Sequence, residues 1–169
     1  MIIYNARVIT WEEENRILDN HAVLIRGNLI KDLAPSAEML QKYPEEEKID
    51  AGGKILMPGQ ICSHTHFYGA YSRGLGNNLP PAKDFPEILK NLWYKLDRAL
   101  DEESVRLSGE LFMINAIKNG CTSFFDHHAS PNFIDGSLDV LEDVVDKSGL
   151  RASLCYEVTD RNGKDGTNG

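Results

Sequence analysis

The sequence predicts an α/β fold preceded by a short all-β segment. Three observations carry that expectation. Before Pro58 the apolar runs are short, rich in β-formers and separated by glycine-containing turns. After Pro58 short apolar runs alternate with helix-length segments, the pattern of parallel strands joined by helices. Two of those helical segments end alike, in Lys118-Asn119-Gly120 and Lys147-Ser148-Gly149, and a strand-like run follows each directly. Lysine in a last turn meets the negative end of the helix dipole, and glycine takes the left-handed position beyond it.

In chain order, Ile2 to Ile9 reads as a strand. Ala22–Ile25 and Leu29–Leu33 flank Arg26-Gly27-Asn28 as a hairpin. Ser36 to Tyr43 reads as one or two helical turns with Ser36 as N-cap. Ala51-Gly52-Gly53 is a turn, and Lys54 to Met57 a short strand stopped by Pro58. Gln60 to His64 opens the second part as a strand with Ile61 and Cys62 buried, and a Gly/Asn/Pro-rich loop covers Phe67 to Lys83. A helix starts near Asp84, where Asp84 and Glu87 have capping-box spacing and Pro86 lies in the first turn. Asp101 opens the next helix, whose apolar face is Leu107, Leu111, Ile114 and Ile117. Strand Thr122–Asp126, helix Ser137–Lys147 and strand Ala152–Val158 follow. Three parallel strands leave two open edges, so the sheet is either small and open or part of a longer chain; the polar run 161–169 stands where another helix is due.

Composition narrows the function. The 169 residues suffice for one domain with a core, or for pieces of two. A net charge of −8 argues against nucleic acid or an anionic membrane surface as partner. No apolar run approaches the roughly 20 residues that cross a bilayer, and the N-terminus has no secretory pattern. Cys62, Cys121 and Cys155, an odd set widely spaced in apolar runs, point to a reducing compartment, the cytoplasm. The runs Glu12–Glu14 and Glu45–Glu47 read as solvated turns, and His21 as an exposed histidine ahead of a strand.

His64-Thr65-His66 is the sharpest chemical feature. Residues i and i+2 of a strand share a face, so both imidazoles can place a nitrogen about 2.0–2.1 Å from one zinc-like ion. They fall at the C-terminal end of the first parallel strand, where such folds keep their chemistry. The bland alternative is a pair of hydrogen-bonded surface histidines. A catalytic zinc takes three or more protein ligands, and Asp126, His127, His128 and Glu157 lie at the next two strand tips. Spacing lets His128 complete a three-histidine site. It equally lets Asp126 and His128, which share a face, orient loops or ligands from behind. Arg73 could meet an anionic substrate group or anchor the loop through a salt bridge. A divalent ion lowers the pKa of water towards 7, which suits attack on an amide-like or amidine-like carbon. No carboxylate is assigned by spacing to carry the proton.

The string Asp50-Ala51-Gly52-Gly53-Lys54-Ile55-Leu56-Met57-Pro58-Gly59, continuing through His64-Thr65-His66 to Gly74, resembles the amidohydrolase superfamily. More narrowly it is similar to the branch of chlorohydrolases, guanine deaminase and related aminohydrolases. Gly120 to Pro131 and Cys155 to Arg161 resemble its SsnA-type aminohydrolases. The resemblance implies a partial (β/α)8 metal-dependent hydrolase barrel, its first three strands in 58–169, preceded by half of a small β-sandwich in 1–57. It implies His64 and His66 as ligands of a divalent metal, zinc first and iron second. The remaining ligands and the proton-shuttling acid belong to later strands, so the resemblance does not assign His127 or His128. Many deaminase relatives carry a substrate-contacting glutamate where this chain has Leu96, which argues against a simple guanine- or adenine-like substrate. The expected activity is hydrolysis of a non-peptide C–N bond in a small heterocycle, with a homo-oligomer at full length. The alternatives are a hydantoinase-type cyclic-amide hydrolase and an inactive fragment.

Overall fold

The computed structural model describes residues 1–75 and 81–161. The middle of the loop expected over 67–83 and the polar segment 162–169 lie outside the described residues. The chain divides between Pro58 and Gly59 into two compact units.

In the first unit β1 (Ile2–Ile9) is the hub of a sheet ordered β3-β2-β1-β4, with β5 also on β1. Strands β2 (Ile17–Arg26) and β3 (Leu29–Pro35) form the expected hairpin, and Gly27 supplies the positive φ of +60° that its turn requires. Strands β4 (Lys48–Asp50) and β5 (Ile55–Leu56) run parallel to β1. Alternation along β2 sorts its side chains onto two clusters. Ala22 and Leu24 pack with Ile2, Ala34 and Met39 of α1 (Ser36–Lys42), while Val23 packs with Ala6 and Val8. Three sequence expectations fail here. Pro35, not Ser36, caps α1; the Ser36 hydroxyl accepts the Asn5 N–H instead at 2.9 Å. His21 lies half-buried inside β2, because that strand begins five residues before Ala22. Glu46 is more than a solvated turn residue, since it pairs with Arg26 and the terminal amine.

The second unit carries the three-stranded parallel sheet β6-β7-β8, of Gln60–Thr65, Cys121–His128 and Arg151–Tyr156. A 3₁₀ segment, Phe67–Ser72, leaves β6. Short helices α2 (Phe85–Ile88) and α3 (Tyr94–Asp97) enclose a π-turn at Leu89–Trp93. The Asp84 carboxylate accepts the Glu87 N–H, but Glu87 returns its bond to Lys83 rather than to the cap. Helix α4 (Glu102–Lys118) opens on a reciprocal Asp101–Ser104 capping box. It ends at Asn119 and Gly120, and α5 (Ser137–Ser148) ends at Gly149; both glycines have φ of +72°.

The core of this unit is Phe67, Phe112 and Phe124 with Val105, Met113, Leu141 and Val144. Two expectations are corrected. Ile61 is 67% exposed, because it lies on the sheet face that α4 and α5 do not cover. The face of α4 that packs inward is Val105, Ser108, Gly109, Met113 and Ala116, and not the aliphatic row from Leu107 to Ile117. Gly109 lies on the inward face, where an added Cβ would stand 3.1 Å from Leu141 Cδ2 and 3.3 Å from Val144 Cγ1, so the close approach of α5 suits a residue without a side chain.

At the entrance to β6, a Cβ on Gly59 would sit 2.1 Å from Thr122 Cγ2 and 2.8 Å from Thr122 Cβ. Rotating the threonine cannot relieve the second contact. Gly59→Ala is therefore expected to destabilise the unit by about 1–3 kcal/mol, whereas Gly69→Ala stays near neutral; urea denaturation of both variants checks this.

Candidate metal centre

The two imidazoles at the end of β6 converge. Their Nε2 atoms lie 3.3 Å apart. Two nitrogens held at about 2.0–2.1 Å by one tetrahedral ion lie about 3.3–3.4 Å from each other. His66 Nδ1 donates to the His127 carbonyl at 2.7 Å. That bond puts the proton of the neutral ring on Nδ1 and leaves the Nε2 lone pair directed at His64. A proton on His64 Nε2, or a shared cation, satisfies both rings; the backbone partner behind His66 is what metal-binding histidines ordinarily have.

Strand pairing explains why the histidines face the open side. Cys62 pairs with Phe124, yet Thr65 pairs with Asp126, so β6 spends three residues where β7 spends two. This bulge shifts the alternation by one. Thr65 turns inward with Asp126, and His64 and His66 turn out to the side of His127, whose ring lies 5.5 Å from that of His66. The Tyr68 and Trp93 rings each stand 5.8 Å from the His66 ring. A cavity of about 490 Å³ opens beside the pair, lined by His64, His66, Arg73, Trp93, Phe112 and Asn115 among others. Arg73 is exposed at its rim, and among the described residues no carboxylate pairs with it.

The tip of β7 presents its other face to the core. Asp126 is 2% exposed; its Oδ1 accepts the Phe67 N–H at 2.7 Å, and its Oδ2 has no partner among the described residues. Burial pushes its pKa up to about 7. His128 is fully buried, with Nε2 on the Ser130 hydroxyl at 2.9 Å and Nδ1 without a partner among the described residues. Burial pushes its pKa down to about 4, with a smaller contribution from His127. His128 therefore lies across the sheet from the His64–His66 pair, and so does Asp126. Among the described residues no three His, Cys, Asp or Glu side chains gather around one point. Asp126 does reach the backbone that follows His66, and so helps to hold it.

Spacing did not single out Trp93, Asp97 or the ion pairs of Arg161. Trp93 comes to His66 through the π-turn, which changes the angular register of the helix. Asp97, 1% exposed, pairs with Arg161, which also bridges to Glu157 and stacks 4.1 Å over Tyr94. Glu157, a ligand candidate by its place at a strand tip, is taken up by Arg161 instead and joins no group of three possible ligands among the described residues. Leu96 packs against the core and brings no polar group to the site.

The profile of the Amidohydrolase family matches residues 55–168. A 5-methylthioadenosine/S-adenosylhomocysteine deaminase of Bacillus cereus is 29% identical over 150 residues, covering 89% of this chain and 33% of its own. An atrazine chlorohydrolase from Arthrobacter aurescens TC1, solved in complex with zinc, superposes with a TM-score of 0.75 at 20% identity, over 94% of this chain and 36% of that one. E. coli guanine deaminase gives 0.76 at 18% identity, over 98% and 39%. The chain thus spans about a third of the length of the curated relatives it matches.

The two buried groups of β7 pull stability in opposite directions with pH. Folded Asp126 holds its proton up to about pH 7, well above its unfolded range, so its contribution is lost as pH rises from about 4 to 7. Folded His128 stays neutral down to about pH 4, so its contribution grows as pH rises from there to its ordinary 6.5. Relative to wild type, Asp126→Asn should gain stability across this window and His128→Gln should lose it, measured by denaturation midpoints at stepped pH.

Proposed function

The chain belongs to the amidohydrolase family, and on that premise we propose that it carries the opening metal ligands of a hydrolase acting on a C–N bond of an aminated heterocycle. The parallel sheet of the second unit then represents the first three strands of a (β/α)8 barrel, and residues 1–57 one half of a small β-sandwich. The observation that carries this reading is the 3.3 Å approach of two Nε2 atoms with the His66 proton fixed on the far side of its ring.

His64 and His66 would hold a divalent ion, and imidazole nitrogens suit zinc first and iron second. Such an ion lowers the pKa of water towards 7 and so supplies a nucleophile at neutral pH. The His127 carbonyl keeps the His66 ring in the ligating tautomer, and Asp126 fixes the backbone at Phe67. Trp93 and Phe112 give the cavity aromatic walls suited to a planar ring, which favours an aminated aromatic substrate over a saturated cyclic amide. Arg73 at the rim would meet an anionic or carbonyl group of that substrate. In this reading the remaining ligands and the acid that passes a proton to the leaving nitrogen come from outside the 169 residues. Three unpaired cysteines fit a reducing cytoplasm, and no helix among the described residues is long and apolar enough to cross a membrane.

Zinc titration followed on the imidazole nitrogens by NMR tests the pair directly. Both Nε2 resonances are expected to shift while His66 Nδ1 keeps its proton. His64→Ala with His66→Ala should abolish the response. Asp126→Ala should weaken binding by about 10–100-fold, and Asp126→Asn, which keeps an acceptor for the Phe67 N–H, much less. A response that persists in the double variant would place the ion elsewhere. In the longer protein, ammonia release from aminated purines, pterins and triazines is the activity to be measured.

A further inference from the structure

Given His64 and His66 as metal ligands, the reading on which this rests, we propose that Arg161 is a positioning residue for the metal centre: its guanidinium fixes α3 so that the Trp93 indole stands against the His66 ring. The segment 85–97 has little of its own to hold it in place. Helices α2 and α3 are four residues each and a π-turn separates them; helices shorter than about 12 residues are marginal alone. Asp97 is the one buried residue of this segment, while Trp93 and Leu96 pack on the core from partly exposed positions. The group that anchors the segment is therefore a carboxylate. Where a buried carboxylate can sit is decided by its counter-charge.

That counter-charge is Arg161, sixty-four positions later and beyond the tip of β8. Its Nη2 donates to Asp97 Oδ2 and to Glu157 Oε2, and its guanidinium carbon lies 4.1 Å from the centre of the Tyr94 ring. Tyr94 and Asp97 open and close α3, so the two contacts fix both its height and its rotation. Trp93 adjoins Tyr94 and lies one turn before Asp97 on the same face. A change in the rotation of α3 is thus carried straight to the indole. As held, that ring stands 5.8 Å from the rings of His66 and Tyr68, and its Cη2 would meet a Cβ on Gly69 at 3.5 Å. Stability alone does not account for the ion pair. Asp97 Oδ1 and Arg161 Nε are buried without a partner among the described residues, and an apolar pair of similar volume commonly holds as well or better. What the planar, charged side chain adds is a fixed geometry.

Nuclear Overhauser contacts between the Trp93 indole and the His66 ring, recorded on the metal-free chain, read that geometry, and those between Phe67 and Phe124 report the core. Arg161→Met, which keeps an apolar stem, is expected to lose the first set and keep the second. In a Trp11→Phe background Trp93 is the sole tryptophan, and its emission should move to longer wavelength in the same variant. Arg161→Lys, which keeps the cation, should recover the Trp93–His66 contacts. Where Arg161→Met fails to fold, Asp97→Asn, which keeps the shape of the side chain without its charge, carries the same expectation. The zinc shifts of the His64 and His66 Nε2 atoms should persist in every variant that folds. Trp93–His66 contacts that survive both Arg161→Met and Asp97→Asn, or that vanish only together with the core contacts, would overturn the proposal. A wild-type chain whose imidazoles ignore zinc would instead strike the metal reading, while the contacts, measured without metal, still decide the role of Arg161.

Discussion

The hydrogen bond from His66 Nδ1 to the His127 carbonyl ties the end of one strand to the end of the next, and the rest of the site is arranged around it. It fixes which ring nitrogen keeps the proton, and so which one is free to meet His64. It depends in turn on the bulge in β6, because without the extra residue the imidazoles would point at the helices. Asp126 adds a second tie one residue further on, through the Phe67 N–H. Two short bonds to adjacent residues of β7 thus hold the His66 ring and the Phe67 backbone where the strand gives way to the 3₁₀ segment. Side chains anchored in this way keep their geometry without waiting for a ligand to order them.

Holding that geometry costs stability. Asp126 and His128 place ionisable groups in the core, each with one polar atom unpartnered. Asp97 and Arg161 repeat the pattern, an ion pair with an orphan atom on each side. Buried pairs of this kind contribute little net stability, because desolvation consumes most of the Coulomb gain. The aromatic cluster of Phe67, Phe112 and Phe124 and the helix α4–α5 contact offset these costs. Polar strain concentrated at strand tips, over an apolar core at the strand centres, is the distribution expected of a chemical site on a rigid scaffold.

Much of the fold was legible because its signals are local. The Lys-x-Gly endings of α4 and α5, the Asp101 cap and the turn at Gly27 each depend on a few neighbouring residues, and the structure has all of them. The errors share a cause. Periodicity marks the Leu107–Ile117 row as an apolar face, but it reports that a face is apolar and not what lies against it. Ile61 has the apolar neighbours of a buried residue and lies exposed for the same reason. Ser36 had the composition of an N-cap, but a hydrogen bond from Asn5, thirty-one residues earlier, claimed its hydroxyl. Trp93 carried no signal, since its approach to His66 depends on a π-turn that no local motif announces.

By itself the sequence determined that His64, in the strand, and His66, extended just beyond it, turn to one side, because a period of two is built into any extended backbone. It also determined the alternation of strand and helix and the points where the helices stop. Which face the pair shares was decided only by the tertiary structure, through the register of β6 on β7. So were the partner of His66, the burial of Asp126 and the ion pair of Asp97 with Arg161. Local conformation follows from sterics within a few residues. A hydrogen-bond partner sixty-one positions away, such as the His127 carbonyl for His66, exists only once the strands have paired.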